Sequence, residues 1–258
     1  MAGLLTGRVA LITGASQGIG QAVAAAFGRE GAALVLCARQ PGPLEHVAAA
    51  LTGQGVDVLA LPAGLGRAAD IVALAEAARR RFARLHVLVN NASALGPMVP
   101  LAEYPPEAWE TVLAVNLTGP FLLTRACLPL LRAAGGGSVI NVSSGVGRAG
   151  RKGWGAYAVS KFGLEGLTQV LADELREEGI RVNAVNPGGT RTAMRAAAVP
   201  GEDPATLPTP EAITPVFLYL ASEASREVTG KSLDARDWIG RSIGQSGPAA
   251  GLPSPGVS

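Results

Sequence analysis

The sequence predicts an α/β fold: a single domain built on one doubly wound parallel sheet with helices on both faces. Short apolar runs alternate along the chain with stretches of helical period, and the connections between them are short. Polar and glycine-rich segments follow the apolar runs, which is where ligands bind to such a sheet. At 258 residues, the chain is long enough for one domain with a full core, or at most for two small ones. We expect the domain at residues 1–238 and a flexible tail, rich in glycine, proline and serine, at residues 239–258.

Seven apolar runs are predicted strands. They cover residues 8–13, 32–38, 56–61, 86–90, 136–144, 180–185 and 231–235. The first predicted helix ends near residue 30. Four more cover 44–51, 68–82, 109–131 and 211–221, and a further helix continues from Lys161 to about residue 178. In the third of these helices, Ile71, Leu74 and Ala78 keep the spacing of one buried face. Asn116 is polar inside a helical pattern, so it needs a partner, a kink or a functional use.

Composition and charge exclude several classes of protein. Apolar residues make up 48% of the chain and charged residues 16%, which is typical of a folded protein. The net charge of +2 is too small to indicate a nucleic-acid partner, and neither histidine lies in a pattern typical of metal ligands. The chain has no run of 18 uncharged apolar residues, and its N-terminal apolar run is too short for a signal peptide. Cys37 and Cys127 lie in apolar runs, as buried free thiols do in a reducing compartment, so we expect a cytoplasmic protein that does not enter a membrane.

A glycine turn follows the first predicted strand and leads into an alanine-rich helical stretch. The turn reads Gly14-Ala15-Ser16-Gln17-Gly18-Ile19-Gly20. Glycines let the backbone approach a ligand closely, and a helix N-terminus presents free N–H groups to an anion. Glycine turns between a strand and a helix are frequent, but this combination of strand, turn and helix favours phosphate binding.

The second predicted strand ends at Ala38, and Arg39 follows it. In nucleotide-binding α/β folds, this position commonly meets the adenosine ribose. An acidic side chain there binds the 2′-hydroxyl, whereas an arginine suits a 2′-phosphate. Arg39 therefore favours NADP(H) over NAD(H). The alternative is a solvated arginine at the start of a loop.

A tyrosine and a lysine, four residues apart, follow the fifth predicted strand and the hydroxyl of Ser144. Positions i and i+4 of a helix share a face, with β-carbons about 5–6 Å apart, so Tyr157 and Lys161 point the same way. A phenol titrates near pH ~10, and a nearby ammonium group favours the phenolate, which lowers the pKa of the tyrosine. The pair therefore suits proton transfer. The alternative for an isolated pair is an interfacial aromatic residue beside a solvated charge, and the position of this pair after a strand argues against it.

Together, these segments resemble the short-chain dehydrogenase/reductase family. The resemblance covers residues 5–235 and rests on an ordered set of motifs at family-like spacing. They are Thr13-Gly14-x-x-x-Gly18-x-Gly20, Asn90-Asn91-Ala92, Asn116, Ser144, Tyr157-x-x-x-Lys161 and Asn186-Pro187-Gly188. Each motif is weak by itself, but the ordered set is specific.

The resemblance implies a Rossmann-like fold and an NAD(P)(H)-dependent oxidoreductase, a carbonyl reductase or alcohol dehydrogenase. Such an enzyme transfers a hydride between the nicotinamide and a small carbonyl compound or secondary alcohol. Tyr157 would be the general acid/base, Lys161 would lower its pKa and hold the nicotinamide ribose, and Ser144 would hydrogen-bond the substrate oxygen. Asn116 would, by a rearrangement of the backbone, hold a water in the proton path to Lys161.

The implied cofactor-binding residues lie at the ends of the strands. They are the turn residues Gly14, Ser16, Gln17, Gly18, Ile19 and Gly20, then Arg39, Asn90, Ala92, Tyr157, Lys161, Pro187, Gly188, Thr190 and Thr192. The helix after Lys161 carries more apolar residues, Phe162 and Val170 among them, than one sheet face requires. We therefore expect a homodimer or a homotetramer.

The chain departs from the family pattern at two positions near the expected cofactor. Gly64 stands where an aspartate usually reads the adenine amino group, so adenine recognition should be weaker or made by the backbone. Ser93 stands where a glycine is usual, and its β-carbon is expected to crowd a loop that passes close to the cofactor. These departures support a second hypothesis, a nucleotide-binding protein with little turnover that acts as a sensor or a subunit partner. The intact Ser144, Tyr157 and Lys161 argue against it.

Three basic residues lie close to Ser144 in the sequence: Arg148, Arg151 and Lys152. They either favour an anionic substrate or form a solvated loop, and we favour the solvated loop. The sequence does not identify the substrate.

Overall fold

A seven-stranded sheet lies at the centre of the protein, in a computed structural model that describes residues 2–241 and residue 243. The strands are β1 (Val9–Thr13), β2 (Ala33–Ala38), β3 (Val58–Pro62), β4 (Val87–Asn90), β5 (Gly137–Val142), β6 (Ile180–Asn186) and β7 (Ser232–Asp234). All neighbouring strands pair in parallel, in the spatial order β3-β2-β1-β4-β5-β6-β7. This is the Rossmann-like order, with its reversal between β1 and β4, and it confirms the predicted fold class.

Within the described residues, eight α-helices cover the two faces of the sheet. They are α1 (Gly18–Arg29), α2 (Pro41–Thr52), α3 (Ala68–Phe82), α4 (Pro106–Leu113), α5 (Gly119–Ala133), α6 (Gly155–Glu174), α7 (Ala193–Ala198) and α8 (Thr214–Ala221). Helices α1, α2 and α8 share one core layer with the sheet, and α3, α5 and the end of α6 share the other. The connections that leave the carboxyl ends of the strands therefore meet along one edge.

The strands alternate between these two core layers. In β1, Ala10 and Ile12 belong to the layer of α1 and α8, whereas Val9 and Leu11 belong to the layer of α3 and α5. Successive side chains of a strand point to opposite faces, and both faces of a parallel sheet are covered by helices. This is why the strands read as continuous apolar runs in the sequence.

Four helices differ from the predicted ones in their boundaries. The helix predicted at 211–221 is α8, which begins at Thr214 after a 3₁₀ turn at Glu211–Ile213. Helix α2 begins at Pro41 instead of residue 44, because a proline fits the first turn of a helix. The helix predicted at 109–131 is a longer stretch that contains a π-helical turn at Ala114–Thr118, between α4 and α5. Helix α6 ends at Glu174, and a 3₁₀ turn at Arg176–Glu178 follows it.

The stretch Pro106–Ala133 is long and apolar enough to cross a membrane by length and composition, with a mean hydropathy of 1.3. Its side chains Leu123, Cys127 and Leu131 are buried in the core layer that lies on the sheet. A core helix of an α/β protein has the same composition as a membrane span, and this packing identifies a core helix. The absence of a membrane span stays a prediction.

The predicted domain boundary lies next to the last large core residue of the described chain. Trp238 is buried and packs on Tyr219, with ring centroids 4.3 Å apart. From residue 244 onward, the tail predicted at 239–258 lies outside the described residues. The boundary at 238 stays a prediction.

Candidate active site

A cleft of about 560 Å³ lies at the carboxyl ends of the strands, beside the reversal between β1 and β4. It extends from the glycine turn after β1, past the loops that follow β4 and β5, to the segment that follows β6. Ligands of doubly wound sheets bind at this position because the connections diverge there and leave a crevice. Most of the residues that the sequence singled out line this cleft.

The glycine turn has the geometry of an anion site. Gly14 and Gly18 have φ values of 66° and 58°, which favour glycine. A β-carbon at Gly14 would lie 2.9 Å from Asn91 Nδ2 and 3.0 Å from Ala92 Cα, so the turn packs tightly on the loop after β4. Helix α1 begins at Gly18 without a side-chain cap and without an acidic residue in its first turn. Its N-terminus therefore presents uncapped amides and a positive dipole end to the cleft.

The predicted turn residues divide into two groups. Gly14, Ser16, Gln17, Gly18 and Ile19 line the cleft. Gly20 is buried and lies behind the turn, where a β-carbon would collide with the carbonyl of Gly14. Because Gly20 has no β-carbon, α1 can pack closely against the turn.

The far end of the cleft, which is formed by the segments after β2 and β3, combines one arginine with backbone and apolar groups. Arg39 lines it after β2, together with Ala38 and Gln40. Ala63 and Leu65 line it after β3. Among the described residues that line this end of the cleft, none has an acidic side chain, and weaker or backbone-only adenine recognition stays a prediction.

Helix α3 holds the loop after β3 in place. The Gly64 amide donates a hydrogen bond of 2.9 Å to Asp70 Oδ2. Asp70 lies in the first turn of α3, where a carboxylate also interacts favourably with the helix dipole. The carboxylate of this segment therefore orders the loop and lies outside the lining of the cleft.

The loop after β4 is tied to β1 by side-chain hydrogen bonds. Asn91 Nδ2 donates to the Thr13 carbonyl at 2.8 Å, and the Ala92 amide donates to Thr13 Oγ1 at 2.9 Å. Asn91 and Ala92 line the cleft. Asn90, which the sequence singled out, is buried behind it and donates to Asn141 Oδ1 at 2.8 Å. Sequence reasoning missed Asn91 as a lining residue, although the Asn-Asn pair was the signal.

Tyr157 and Lys161 lie one turn apart in α6, and both are buried in the wall of the cleft. The Lys161 Nζ atom lies 5.4 Å from the centroid of the Tyr157 ring and donates a 2.8 Å hydrogen bond to the Val142 carbonyl of β5. Ser144, after β5, and Ser93, after β4, line the same cleft. The structure therefore places three hydroxyl side chains and one ammonium group in one wall region of the cleft.

Burial changes the pKa of both Tyr157 and Lys161. It raises the pKa of Tyr157, and the hydrogen bonds from Ser144 and Ser93 offset only part of that effect. The direction is opposite to the lowering that the sequence predicted from Lys161, because desolvation of the buried phenol is the largest effect on its pKa. Burial also lowers the pKa of Lys161 to about 8, against a smaller opposing effect of Glu165. Tyr157 is therefore a neutral phenol at neutral pH, and Lys161 is charged below about pH 8.

Asn116 lies in the π-helical turn, and its side chain forms hydrogen bonds with the loop after β4. Its Oδ1 accepts from the Ala94 amide at 2.7 Å, and its Nδ2 donates to the Ala94 carbonyl at 2.9 Å. Nδ2 also donates to Ser160 Oγ at 3.0 Å, and Ser160 Oγ donates to the Tyr157 carbonyl at 2.7 Å. Asn116 thus connects the loop after β4 to α6, and it does not itself line the cleft.

The segment after β6 forms the opposite wall. Pro187, Gly188, Thr190 and Thr192, which the resemblance implies as cofactor-binding residues, line the cleft. Gly188 has a φ of 66°, and its amide donates to Asn186 Oδ1 at 3.0 Å, which turns the chain.

Helix α7 extends this wall and was not predicted. Thr192 caps it by accepting from the Arg195 amide at 3.1 Å. Met194, Arg195 and Ala198 of α7 also line the cleft. The signal in the sequence was Thr192 followed by an alanine-rich run, typical of a capped helix.

Apolar side chains pack against the Tyr157 ring on one side of the cleft. Leu95, Trp154 and Met194 pack around Tyr157, and the Trp154 and Tyr157 ring centroids lie 5.7 Å apart. Arg148 does not reach this region, since it pairs with Asp234 at 3.0 Å on the outer side of the sheet.

Arg151 and Lys152 are exposed and do not line the cleft. The basic cluster therefore has the position of a solvated loop. Among residues 2–241 and 243, the structure contains no group of three His, Cys, Asp or Glu side chains that could hold a metal ion.

The chain is similar to known proteins in both sequence and structure. The family model described as short chain dehydrogenase matches residues 8–203. The chain is 44% identical to the uncharacterized oxidoreductase YciK of Escherichia coli strain K12 over 236 residues, which are 90% of this chain and 93% of that protein. A short chain dehydrogenase from Pseudomonas syringae superposes with a TM-score of 0.88 at 44% identity, covering 91% of this chain and 97% of that one. Another, from Shigella flexneri 2a str. 301 and complexed with NADP, gives a TM-score of 0.86 at 42% identity, covering 92% and 100%.

Proposed function

This chain belongs to the short chain dehydrogenase family and is an oxidoreductase of that type, and we propose that it is an NADP(H)-dependent enzyme that interconverts a carbonyl compound and its secondary alcohol. The observation that carries the proposal is the arrangement of Tyr157, Lys161 and Ser144 at one point of the cleft. The second hypothesis, a binding protein with little turnover, has no such observation behind it, because the three groups that proton transfer needs are all present.

The residues of the cleft fit a nicotinamide dinucleotide. The uncapped N-terminus of α1 and the glycine turn suit a diphosphate, and Arg39 suits a 2′-phosphate at the far end. Within the described residues, the buried Ser143 Oγ, which also belongs to the cleft wall, has no hydrogen-bond partner. Lys161 uses one of its three N–H groups for Val142, which leaves two for ribose hydroxyls. The related Shigella flexneri protein is complexed with NADP, which supports the same cofactor for this chain.

The bound cofactor supplies or accepts the hydride. In the reductive direction, Tyr157 donates its proton to the carbonyl oxygen, and its raised pKa keeps it protonated at neutral pH. The Ser144 hydroxyl hydrogen-bonds the same oxygen and holds it against the phenol. Lys161, positively charged below about pH 8, stabilises the phenolate that forms when the proton has left. Leu95, Trp154 and Met194 exclude water from the reacting atoms.

The substrate that suits this cleft is an uncharged carbonyl compound with an apolar body. The test is NADPH oxidation with cyclohexanone and acetophenone, against the carboxylated ketones pyruvate and acetoacetate as matched charged probes. We expect reduction of the uncharged pair and little of the charged pair, because Leu95, Trp154 and Met194 pack against Tyr157, Arg195 is neutralised by Glu202, and the basic cluster lies outside the lining. A protein that binds NADPH tightly and reduces none of the four would contradict the proposed activity and favour a binding role.

The cofactor preference is tested at Arg39. We expect Arg39→Asp to weaken NADPH binding about 10- to 100-fold, since a charge-assisted contact to a phosphate is replaced by repulsion, while NADH binding changes little. Fluorescence titration of the two cofactors measures the difference. Arg80→Asp, at an exposed arginine of α3 that does not line the cleft, is the control for a general loss of positive charge. Equal losses for NADPH and NADH would mean that Arg39 is a solvated arginine.

Members of this family act on small molecules and are commonly oligomers, and we propose that this chain is a cytoplasmic homodimer or homotetramer without nucleic-acid or membrane partners. Large apolar side chains remain exposed along α5 and α6: Phe121, Val159, Phe162 and Val170. A second copy would cover this surface at little cost. We expect light scattering to give two or four times the mass of the chain, and Phe162→Glu to reduce it. A wild-type monomer would contradict the proposal.

A further inference from the structure

Arg148 follows Ser144 by four positions, and the mechanism above does not use it. A 3₁₀ turn at Gly145–Gly147 lies between the two residues, and the Gly147 amide donates to the Ser144 carbonyl at 2.9 Å. This turn packs directly on α6, because a β-carbon at Gly147 would lie 2.9 Å from the carbonyl carbon and the β-carbon of Lys161. The position of the Ser144 hydroxyl therefore depends on how the turn is held against α6.

The guanidinium group of Arg148 connects this turn to the last strand, β7. Its Nη1 donates to the two carboxylate oxygens of Asp234 at 3.1 and 3.0 Å, and its Nη2 donates to Ser232 Oγ at 2.6 Å. Ser232 and Asp234 are two positions apart in β7, so their side chains lie on the same face of the strand. The planar guanidinium group has several donors in fixed directions, and it suits such a fixed set of acceptors.

The same contacts reach α6 through Glu165, which lies one helical turn after Lys161. Ser232 Oγ donates to Glu165 Oε1 at 2.8 Å, and Arg148 Nε lies 3.6 Å from that oxygen. The Glu165 side chain is buried, and within the described part of the chain Arg148 is the one cationic side chain that pairs with it. A buried carboxylate is costly without such a partner, so Arg148 and Glu165 hold each other in place.

Asp234 is a fixed anchor for Arg148, because β6 holds it in register. Asn186, at the end of β6, is the parallel partner of Asp234 in β7. Asn186 Nδ2 donates to Asp234 Oδ1 at 2.6 Å, and Asn186 Oδ1 accepts from the Gly188 amide at 3.0 Å. The carboxylate therefore keeps a hydrogen-bond donor of its own when Arg148 is removed.

We propose that Arg148 is a positioning residue for the reaction, because it fixes the turn that carries Ser144 against α6 and β7. The proposal rests on the proposed function, in which the Ser144 hydroxyl holds the substrate oxygen. Arg148 acts through Ser144, since its own side chain is 33% exposed and does not line the cleft. Arg151 lies in the same loop and has the same charge, but it is exposed and makes none of these side-chain contacts, so it is the matched control.

The test is a double-mutant cycle between Arg148→Met and Ser144→Ala, with NADPH and the best ketone of the panel. We expect Arg148→Met to lower kcat about 10- to 100-fold, as a displaced reacting group does, and Arg151→Met to leave kcat unchanged. In the Ser144→Ala background, Arg148→Met should lower kcat less than about twofold, because no hydroxyl is left to position. The NADPH dissociation constant should stay within about threefold, since the Asn186 contact remains.

A purely structural role would lower kcat by the same factor in both backgrounds, and that result would overturn the proposal. Wild-type kcat in Arg148→Met would also overturn it. Thermal unfolding of each variant defines a temperature at which all of them are folded, and the kinetics are compared there.

Hydrogen exchange, followed by mass spectrometry, tests the same contacts without turnover. The amides of residues 147–149 hydrogen-bond within the turn, and in Arg148→Met we expect them to exchange about 10-fold faster than in the wild type or in Arg151→Met. Unchanged exchange would overturn the proposal. If no ketone is reduced but exchange is faster, the proposed function fails and the hold of Arg148 on the turn stands. If ketones are reduced in a Tyr157-dependent way and Arg148→Met matches the wild type, the role of Arg148 fails and the proposed function stands.

Discussion

Tyr157→Phe is expected to lower kcat for ketone reduction by about 10²- to 10⁴-fold, the usual contribution of a positioned general acid. The substitution removes only the hydroxyl, and the ring keeps its packing against Trp154 and Met194. The NADPH dissociation constant and the free energy of unfolding should therefore change little. Steady-state kinetics with the best ketone of the panel, together with a fluorescence titration of NADPH, measure both quantities.

Tyr219→Phe is the matched control for this prediction. Tyr219 packs on Trp238 and does not line the cleft, so the loss of its hydroxyl should leave kcat within about twofold of the wild-type value. A Tyr157→Phe enzyme that turned over as fast as this control would show that another group supplies the proton. The proposed mechanism would then be wrong, although the family assignment would stand.

Lys161→Met is expected to lower kcat about 10²- to 10³-fold, because it removes the positive charge beside the phenolate in a site shielded from water. It also removes the N–H groups that suit the cofactor ribose, so the KM for NADPH should rise. Lys152→Met is the control, since Lys152 is exposed on a loop outside the lining. Wild-type kinetics in Lys161→Met would contradict the assigned role.

The pH dependence gives a second readout for Lys161. Its pKa is lowered to about 8, so its charge is present below that pH and is lost as the pH rises through it. The activity that depends on this charge should therefore fall above about pH 8 in the wild type, and this limb should be absent from Lys161→Met.

The same shift affects stability. Between about pH 8 and pH 10.5, the unfolded chain binds a proton that the folded one has released, so the stability of the wild type should rise with pH relative to Lys161→Met. Denaturant unfolding at pH 7 and at pH 10 measures this difference, and a constant difference between the two proteins would contradict the lowered pKa.

The strands and most helices could be predicted because their signals are local. The helix predicted at 68–82 agrees with α3, since its apolar spacing depends only on neighbouring turns. The start of α2 at Pro41 and the π-helical turn at Ala114–Thr118 were less accessible. The first depends on how a proline-rich segment meets β2, and the second on the contacts that Asn116 makes with the loop after β4.

The residues of the candidate site likewise divide into those with a local signal in the sequence and those that only distant contacts bring together. Tyr157 and Lys161 could be paired from the sequence because four residues of helix separate them. Ser93 and Tyr157 could not be placed in one cleft from the sequence, since 64 positions of chain lie between them and the parallel pairing of β4 and β5 brings their loops to one edge. The direction of the Tyr157 pKa was also beyond the sequence, because desolvation depends on what surrounds the ring.

The sequence by itself determined the fold class, the glycine turn after β1 and the pairing of Tyr157 with Lys161, because strand alternation, glycine spacing and the i, i+4 geometry are all properties of short segments. The tertiary structure decided which residues reach the cleft: it placed Asn91 rather than Asn90 in the wall, buried Gly20 behind the turn, and turned Arg148 away. It also decided the protonation of Tyr157, which burial keeps as a neutral phenol. The physical reason is that burial and long-range contact arise only when distant strand ends meet at one edge of the sheet.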